Sequence, residues 1–292
     1  LAPVLAAAAC SSSKAPAGPA PTPTAAPTPA TPLEIHQRLL VLDTHLDTPA
    51  NFVRPGWNIA ERHSQAGDMT QVDLPRMAEG GLDGGFWVIF TEQGPLTARG
   101  YARARAHAFD IADRIAATVA GHADRMALAA TPADARRIAG EGKIVVFQSI
   151  ENSYPLGEDL SLLAKFYDRG VRMAGPVHAA DNQFADSATG RHRWGGLSPL
   201  GRRWVAEMNR LGMLIDASHA SDAAFDQLLA LSKTPIILSH SGPRSRFDHP
   251  RNLDDRRIKA LAAKGGVIQI NSIFLAKIDN SPERAALDAI KD

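Results

Sequence analysis

Short apolar, β-prone runs recur along this chain and alternate with segments whose apolar residues fall every three or four positions. Seven runs read as strands: Val41 to His45, Gly84 to Phe90, Ile144 to Ile150, Val171 to Val177, Met213 to Ser218, Pro235 to Ser239 and Gly266 to Asn271. Between them, Thr97 to Met126 carries the Ala-rich, 3.6-spaced pattern of a long helix. Asp159 to Arg169 and Pro199 to Leu211 read as helices closed by Gly170 and Gly212. Ser221 can cap a helix running to Ser232, and Asp254 to Lys264 reads as another. Leu33 to Leu40 is a short lead-in helix, and the polar, aromatic-bearing stretch from Pro49 to Gly67 reads as a long loop facing a ligand. Strand and helix in alternation predict an α/β fold with a parallel sheet, here a (β/α)8 TIM-like barrel. The pattern reaches seven strands and is truncated before the eighth, ending at Asp292 in a helical run.

What gives the pattern chemical meaning is how the strands end. The first runs into His45-Leu46-Asp47, the third into Glu151, the fifth into His219 and the sixth into His240. In a closed barrel the C-terminal strand ends converge on one mouth, so ligands far apart in sequence meet in space. His45 and Asp47, two apart, can share one face of a strand and reach one ion. Each residue alone has a bland reading: a chance His-x-Asp, a solvated carboxylate, a satisfied core histidine. Four coincidences at strand ends point instead to divalent metal, and five ligands exceed what one tetrahedral ion needs. A lone Glu could bridge two ions a few Å apart, as in a two-metal hydrolase.

Composition narrows the class. The chain has 292 residues, enough for one barrel of about 250 residues. A net charge of +1 with scattered Lys and Arg gives no polyanion signal, so no nucleic acid partner is expected. Cys10 is the sole cysteine, so any zinc must be held by His and carboxylate. Residues 1–10 are apolar and small up to Cys10 and look like the tail of a bacterial lipoprotein signal segment, an imperfect match because Ala7 stands where Leu is usual. Residues 11–32 form a Pro/Ala/Thr-rich tether with almost nothing to bury, and the folded domain is expected over 33–292. The expected location is the bacterial cell envelope, periplasmic or anchored to a membrane through Cys10.

The residues also resemble a family. Asp43-Thr44-His45-Leu46-Asp47-Thr48-Pro49 resembles the opening motif of the membrane (renal) dipeptidase family of zinc peptidases. Ile150-Glu151-Asn152-Ser153-Tyr154-Pro155-Leu156-Gly157, Gly170-Val171-Arg172-Met173, Ala185-Asp186-Ser187 and Gly196-Leu197-Ser198-Pro199-Leu200-Gly201 match in order. So do Glu207-Met208-Asn209-Arg210-Leu211-Gly212-Met213, Asp216-Ala217-Ser218-His219 and His249-Pro250-Arg251-Asn252-Leu253. The resemblance implies a metal-dependent hydrolase barrel with two Zn2+ per chain, dipeptide substrates and a homodimer. It implies His45 and Asp47 on one zinc, His219 and His240 on the other, and Glu151 between them. His178 then sits near the substrate carbonyl, as oxyanion and substrate contact, and Arg251 receives the substrate's terminal carboxylate, for which a guanidinium fork is suited. A metal-bridging hydroxide would attack the peptide bond. The family's general acid/base Asp, at the end of the eighth strand, has no counterpart in this chain; Asp288 and Asp292 do not carry that motif.

Supporting roles follow from position. Asp43 and Asp216 could accept the free N–H of ligand histidines or act as structural carboxylates, and Arg54, Trp57 and Tyr154 could line the pocket or merely pack. Two other readings compete: a different binuclear amidohydrolase acting on cyclic amides or lactones, and a tethered lipoprotein that binds peptide or metal without catalysis. The first is disfavoured because such sites open with His-x-His and bridge their metals through a modified Lys, where this chain has His-x-Asp and Glu151.

Overall fold

The structure is a computed structural model that describes residues 30–271. Cys10, the tether up to residue 29, Asp288 and Asp292 lie outside the described residues. The chain divides into two units at Arg38 and Leu39. In the first, the helix Pro32–His36 is opened by a capping box: Thr31 Oγ1 accepts the Glu34 N–H, and the Glu34 carboxylate accepts the Thr31 N–H.

Among its described residues the second unit holds eight strands, β1 (Leu42–Leu46), β2 (Gly84–Ile89), β3 (Met126–Leu128), β4 (Ile144–Ile150), β5 (Val171–Ala174), β6 (Leu214–Ile215), β7 (Ile237–Ser241) and β8 (Val267–Ile270). Their pairings are parallel, in the order β1-β2-β4-β5-β6 and β7-β8. A parallel bridge between Asp216 and Ile237 joins the two sheets. Seven strands are thus the barrel staves that the apolar runs predict. β8 and β1 are linked by a side chain: Gln269 accepts the Thr44 N–H at 2.9 Å and donates to the Leu42 carbonyl at 3.2 Å. Its amide occupies hydrogen-bonding positions on the β1 edge that a neighbouring strand would use.

The eighth strand found, β3, is not a stave. It pairs with the lower half of β4 (Met126↔Ile144, Leu128↔Val146), on the edge whose upper half takes β5 (Ile150↔Ala174). The long helix accordingly ends at Gly121 rather than Met126. Met126-Ala127-Leu128 reads as more helix because it is short and Ala-flanked. The Thr131-Pro132-Ala133-Asp134 capping box, which opens the unexpected helix Pro132–Gly140, is the signal that separates them. The helices Pro199–Leu211, Asp222–Leu231 and Asp255–Ala263 begin at Ser198, Ser221 and Asp254, each side chain accepting a first-turn N–H. No helix among the described residues is long and apolar enough to cross a membrane.

Alternation along β4 separates two buried faces. Val146 and Ile150 pack with Trp87, Ile89, Phe166 and Trp204 in the main core between sheet and helices. Val145 and Phe147 pack with Ala135 and Ile138 in a smaller cluster. The period of two carries Ser149 and then Glu151 to the Val145 side.

β2 opens with two glycines because it is squeezed from both sides. A Cβ on Gly84 would stand 2.0 Å from the Val145 carbonyl oxygen, and one on Gly85 2.2 Å from that of Asp43. Both obstacles are sheet backbone, which cannot step aside. Gly85→Ala should therefore destabilise the fold by about 1–3 kcal/mol, the usual cost of overpacking, seen as a lower urea midpoint at unchanged slope.

Candidate metal centre

Glu151 follows directly on β4 and is 7% exposed. Gly175, just past β5, lets that strand end close on it: a Cβ there would lie 2.5 Å from the Glu151 carbonyl oxygen. Around the Glu151 carboxylate oxygen Oε1 stand four imidazole Nε2 atoms: His219 at 3.0 Å, His178 and His240 at 3.5 Å and His45 at 3.6 Å. His219 Nε2 and His240 Nε2 are 2.9 Å apart. His219 reaches in from a left-handed backbone, φ 67°, which no apolar-run pattern foretells; a non-glycine residue held there carries strain of a kind that collects at functional sites. Asp47 is the outermost member, its side chain 67% exposed and 3.5 Å from His45 Nε2. The structure thus brings together all six residues that the sequence points to at the strand ends and at His178.

Charge in this cluster is constrained by burial. Desolvation pushes the Glu151 carboxyl up to about 7, although His45 opposes the shift. His219 and His240 are held well below the usual imidazole range, first by burial and then by neighbouring cations. His178 shifts down for the same reason, with Arg251 adding to it. Burial also disfavours a charged His45, but hydrogen bonding to Asp47 and the Glu151 and Asp47 charges outweigh it, and its pKa rises. The cluster is therefore a set of mostly neutral nitrogen lone pairs around one carboxylate, which is a divalent-metal donor set. Two groups have ligand atoms close enough to hold an ion: His45, Glu151 and His240; and Glu151, His178 and His219. Glu151 belongs to both, where a bridging carboxylate would stand.

These residues line a cavity of about 490 Å³, together with Arg251 and the apolar side chains of Ala50, Val53, Val88, Phe90 and Ile111. Arg251 is 4% exposed and donates to the His240 carbonyl at 3.2 Å and to Ser241 Oγ at 3.4 Å. Burial lowers its pKa to about 10, against the pull of Asp216 and Glu151, so it stays cationic at neutral pH. Its loop is pinned at both ends. Arg244 N–H donates to the Leu253 carbonyl and Leu253 N–H to the Gly242 carbonyl, while the Arg244 guanidinium grips both Asp222 oxygens at 3.0 and 2.9 Å.

Some expectations need correction. Arg54, Trp57 and Tyr154 do not line this cavity. Trp57 donates to Thr70 Oγ1 and stacks on His63, Arg54 bonds Asn51 and the Asp68 carbonyl, and Tyr154 donates to the Pro95 carbonyl from the neighbouring cavity. Arg54 and Trp57 are satisfied within their own loop, and Tyr154 by the loop after β2. Neither Asp43 nor Asp216 accepts directly from a histidine ring: Asp43 Oδ1 takes the His45 backbone N–H, and Asp216 takes Ser239 Oγ. His107 and Ile111, a helical turn apart, are wall residues that the sequence did not single out; a lone His among alanines carries no ligand spacing.

The dipeptidase tcpJ of Claviceps purpurea is 34% identical over 230 residues, 76% of this chain and 53% of that protein. An uncharacterized dipeptidase of Schizosaccharomyces pombe is 31% identical over 263 residues, 86% of this chain and 63% of the other. The chain thus spans between half and two thirds of the length of these relatives. Among solved structures, the probable dipeptidase PvdM from Pseudomonas aeruginosa superposes with a TM-score of 0.78 at 34% identity, covering 89% of this chain and 66% of that one. A Rhodobacter sphaeroides metallopeptidase, liganded with a phosphinate mimic of the dipeptide L-Ala-D-Ala, gives 0.71 at 26% identity, covering 86% and 81%. The membrane dipeptidase family model (Peptidase family M19) matches residues 30–292, and the chain belongs to that family.

Proposed function

We propose that the protein is a zinc-dependent dipeptidase in which Glu151, His45, Asp47, His219 and His240 hold two Zn2+. The observation that carries this reading is the single buried Glu151 oxygen ringed by four Nε2 atoms within 3.6 Å. Bound there, the ions would supply Lewis acidity, acidifying a water near neutral pH and polarising the scissile carbonyl. The remaining work belongs to the chain. Arg251, cationic and buried, receives the terminal carboxylate of a free peptide through its guanidinium fork. His178, neutral at working pH and packed edge-on against Phe90, donates a hydrogen bond where negative charge develops on the carbonyl oxygen. Val53, Val88, Phe90 and Ile111 form the apolar wall that displaces water from the substrate's side chains. The dipeptide mimic bound by the Rhodobacter sphaeroides relative supports a substrate of this class, and residues 1–32 support a position at the cell envelope, tethered through Cys10.

Hydrolysis of a small dipeptide panel that includes L-Ala-D-Ala tests this. Cleavage should vanish on chelation, return with zinc at two ions per chain, and be lacking for C-terminally amidated controls. Zinc-loaded, folded protein that leaves every free dipeptide intact would favour a cyclic amide or lactone substrate, or a binding role.

Arg251→Ala should cost about 2–5 kcal/mol in kcat/KM, chiefly through KM, because it removes one partner of a buried charge pair. A free dipeptide cleaved equally well by both proteins would contradict the assignment.

Metal uptake should also release protons. Glu151 in the metal-free protein is protonated below about 7, and only its carboxylate binds metal. Apparent zinc affinity should therefore rise with pH up to about 7, with about one proton released by Glu151 at pH 6; calorimetry in buffers of different ionisation enthalpy measures it.

A further inference from the structure

One hydroxyl lies behind two of the four histidines. Ser239 Oγ, in a residue 2% exposed, is 2.6 Å from Asp216 Oδ2, 2.8 Å from His240 Nδ1 and 3.4 Å from His45 Nδ1. The three neighbours come from different staves: His45 from β1, His240 from β7, and Asp216 from the residue after β6. Asp216 Oδ1 already accepts the backbone N–H groups of Ser218 and Ser239 at 2.9 and 3.0 Å. Ser218 Oγ, 3.4 Å from Ser239 Oγ, accepts the His240 backbone N–H.

A hydroxyl has one proton and two lone pairs, and a carboxylate can only accept. The short contact to Asp216 therefore takes the Ser239 proton, and the lone pairs are left to accept. What they can accept is an Nδ1–H from His240 and, at longer reach, from His45. A neutral imidazole that carries its proton on Nδ1 is bare on Nε2, and the Nε2 atoms of both rings face Glu151.

We propose that Ser239, polarised by Asp216, is a positioning residue that fixes the ring tautomer of His240, and secondarily of His45, so that each presents a bare Nε2 to the metal centre. This rests on reading those histidines as metal ligands. Ser239 itself is no ligand; it acts through the rings.

The discriminating variant is Asp216→Asn, which keeps the shape and reverses the polarity. The amide oxygen stays on the two backbone N–H groups, so the amide nitrogen donates to Ser239 Oγ. The hydroxyl proton then turns toward His240 Nδ1, and the ring proton moves to Nε2. Long-range 1H–15N NMR on the metal-free protein reads the tautomer directly, and competition with a chromophoric chelator reads zinc affinity. We expect the Nδ1–H form of His240 in the native protein and the Nε2–H form in D216N. Zinc affinity should be about 10–100-fold weaker in D216N and in Ser239→Ala, and restored in Ser239→Thr, which keeps the hydroxyl. A folded D216N with an unchanged tautomer and native zinc affinity overturns the proposal. So does native affinity in S239A, which decides the matter if D216N fails to fold. A native protein that binds no zinc yet shows the Nδ1–H tautomer would count against the metal reading and leave the Ser239 polarity established.

Discussion

The rest of the structure is organised around a carboxylate that burial opposes. Glu151 is placed by β4 where desolvation favours its neutral form, and four imidazoles are packed within 3.6 Å of one of its oxygens. Three of those rings cannot neutralise it cheaply, because burial and mutual repulsion hold His178, His219 and His240 uncharged. A buried, poorly compensated donor set of this kind is costly to the empty protein. Divalent cations resolve it, since they satisfy lone pairs and carboxylate together without asking any imidazole to ionise.

The barrel explains how the arrangement is held. β1, β4 and β7 each deliver one member of the cluster, His45, Glu151 and His240, and the turn after β6 delivers His219 in a strained backbone conformation. The glycines at 84 and 85 let β2 lie close between β1 and β4, the two staves that carry His45 and Glu151. The loop that carries Arg251 has its own support. Asp222, at the first turn of its helix, holds Arg244 and Arg257, and Arg257 also grips Asp226 and Asp254. Such a network of shared charges orders the loop that presents Arg251 better than an isolated surface pair would. One cavity is thus lined by the histidine–carboxylate cluster, a fixed guanidinium and apolar side chains.

Much of this is legible in the sequence, and the reasons are local. Ile144 to Phe147 is an unbroken apolar run that Ile150 extends, so both the strand and the exit position of Glu151 follow from it. Ser221 announces its helix because capping is chemistry between near neighbours. The metal set is legible because barrel topology converts strand ends into one place. What is illegible depends on contacts across the chain. β3 is three residues whose only claim to strand is the lower edge of β4. The part played by Ser239 is set by Asp216, from 23 positions earlier, and by His45, from 194 earlier. The φ of His219, the wall position of His107, the packing of Trp57 on His63 and the place of Tyr154 in a neighbouring pocket likewise come from packing, which leaves no periodic trace.

The most direct test of the central claim is anomalous X-ray diffraction from crystals of the zinc-loaded protein. The account predicts two zinc peaks with Glu151 ligating both, one carboxylate oxygen to each at about 2.0–2.2 Å, and His45, His219 and His240 bound through Nε2. A single zinc, or two of which Glu151 touches only one, would contradict it.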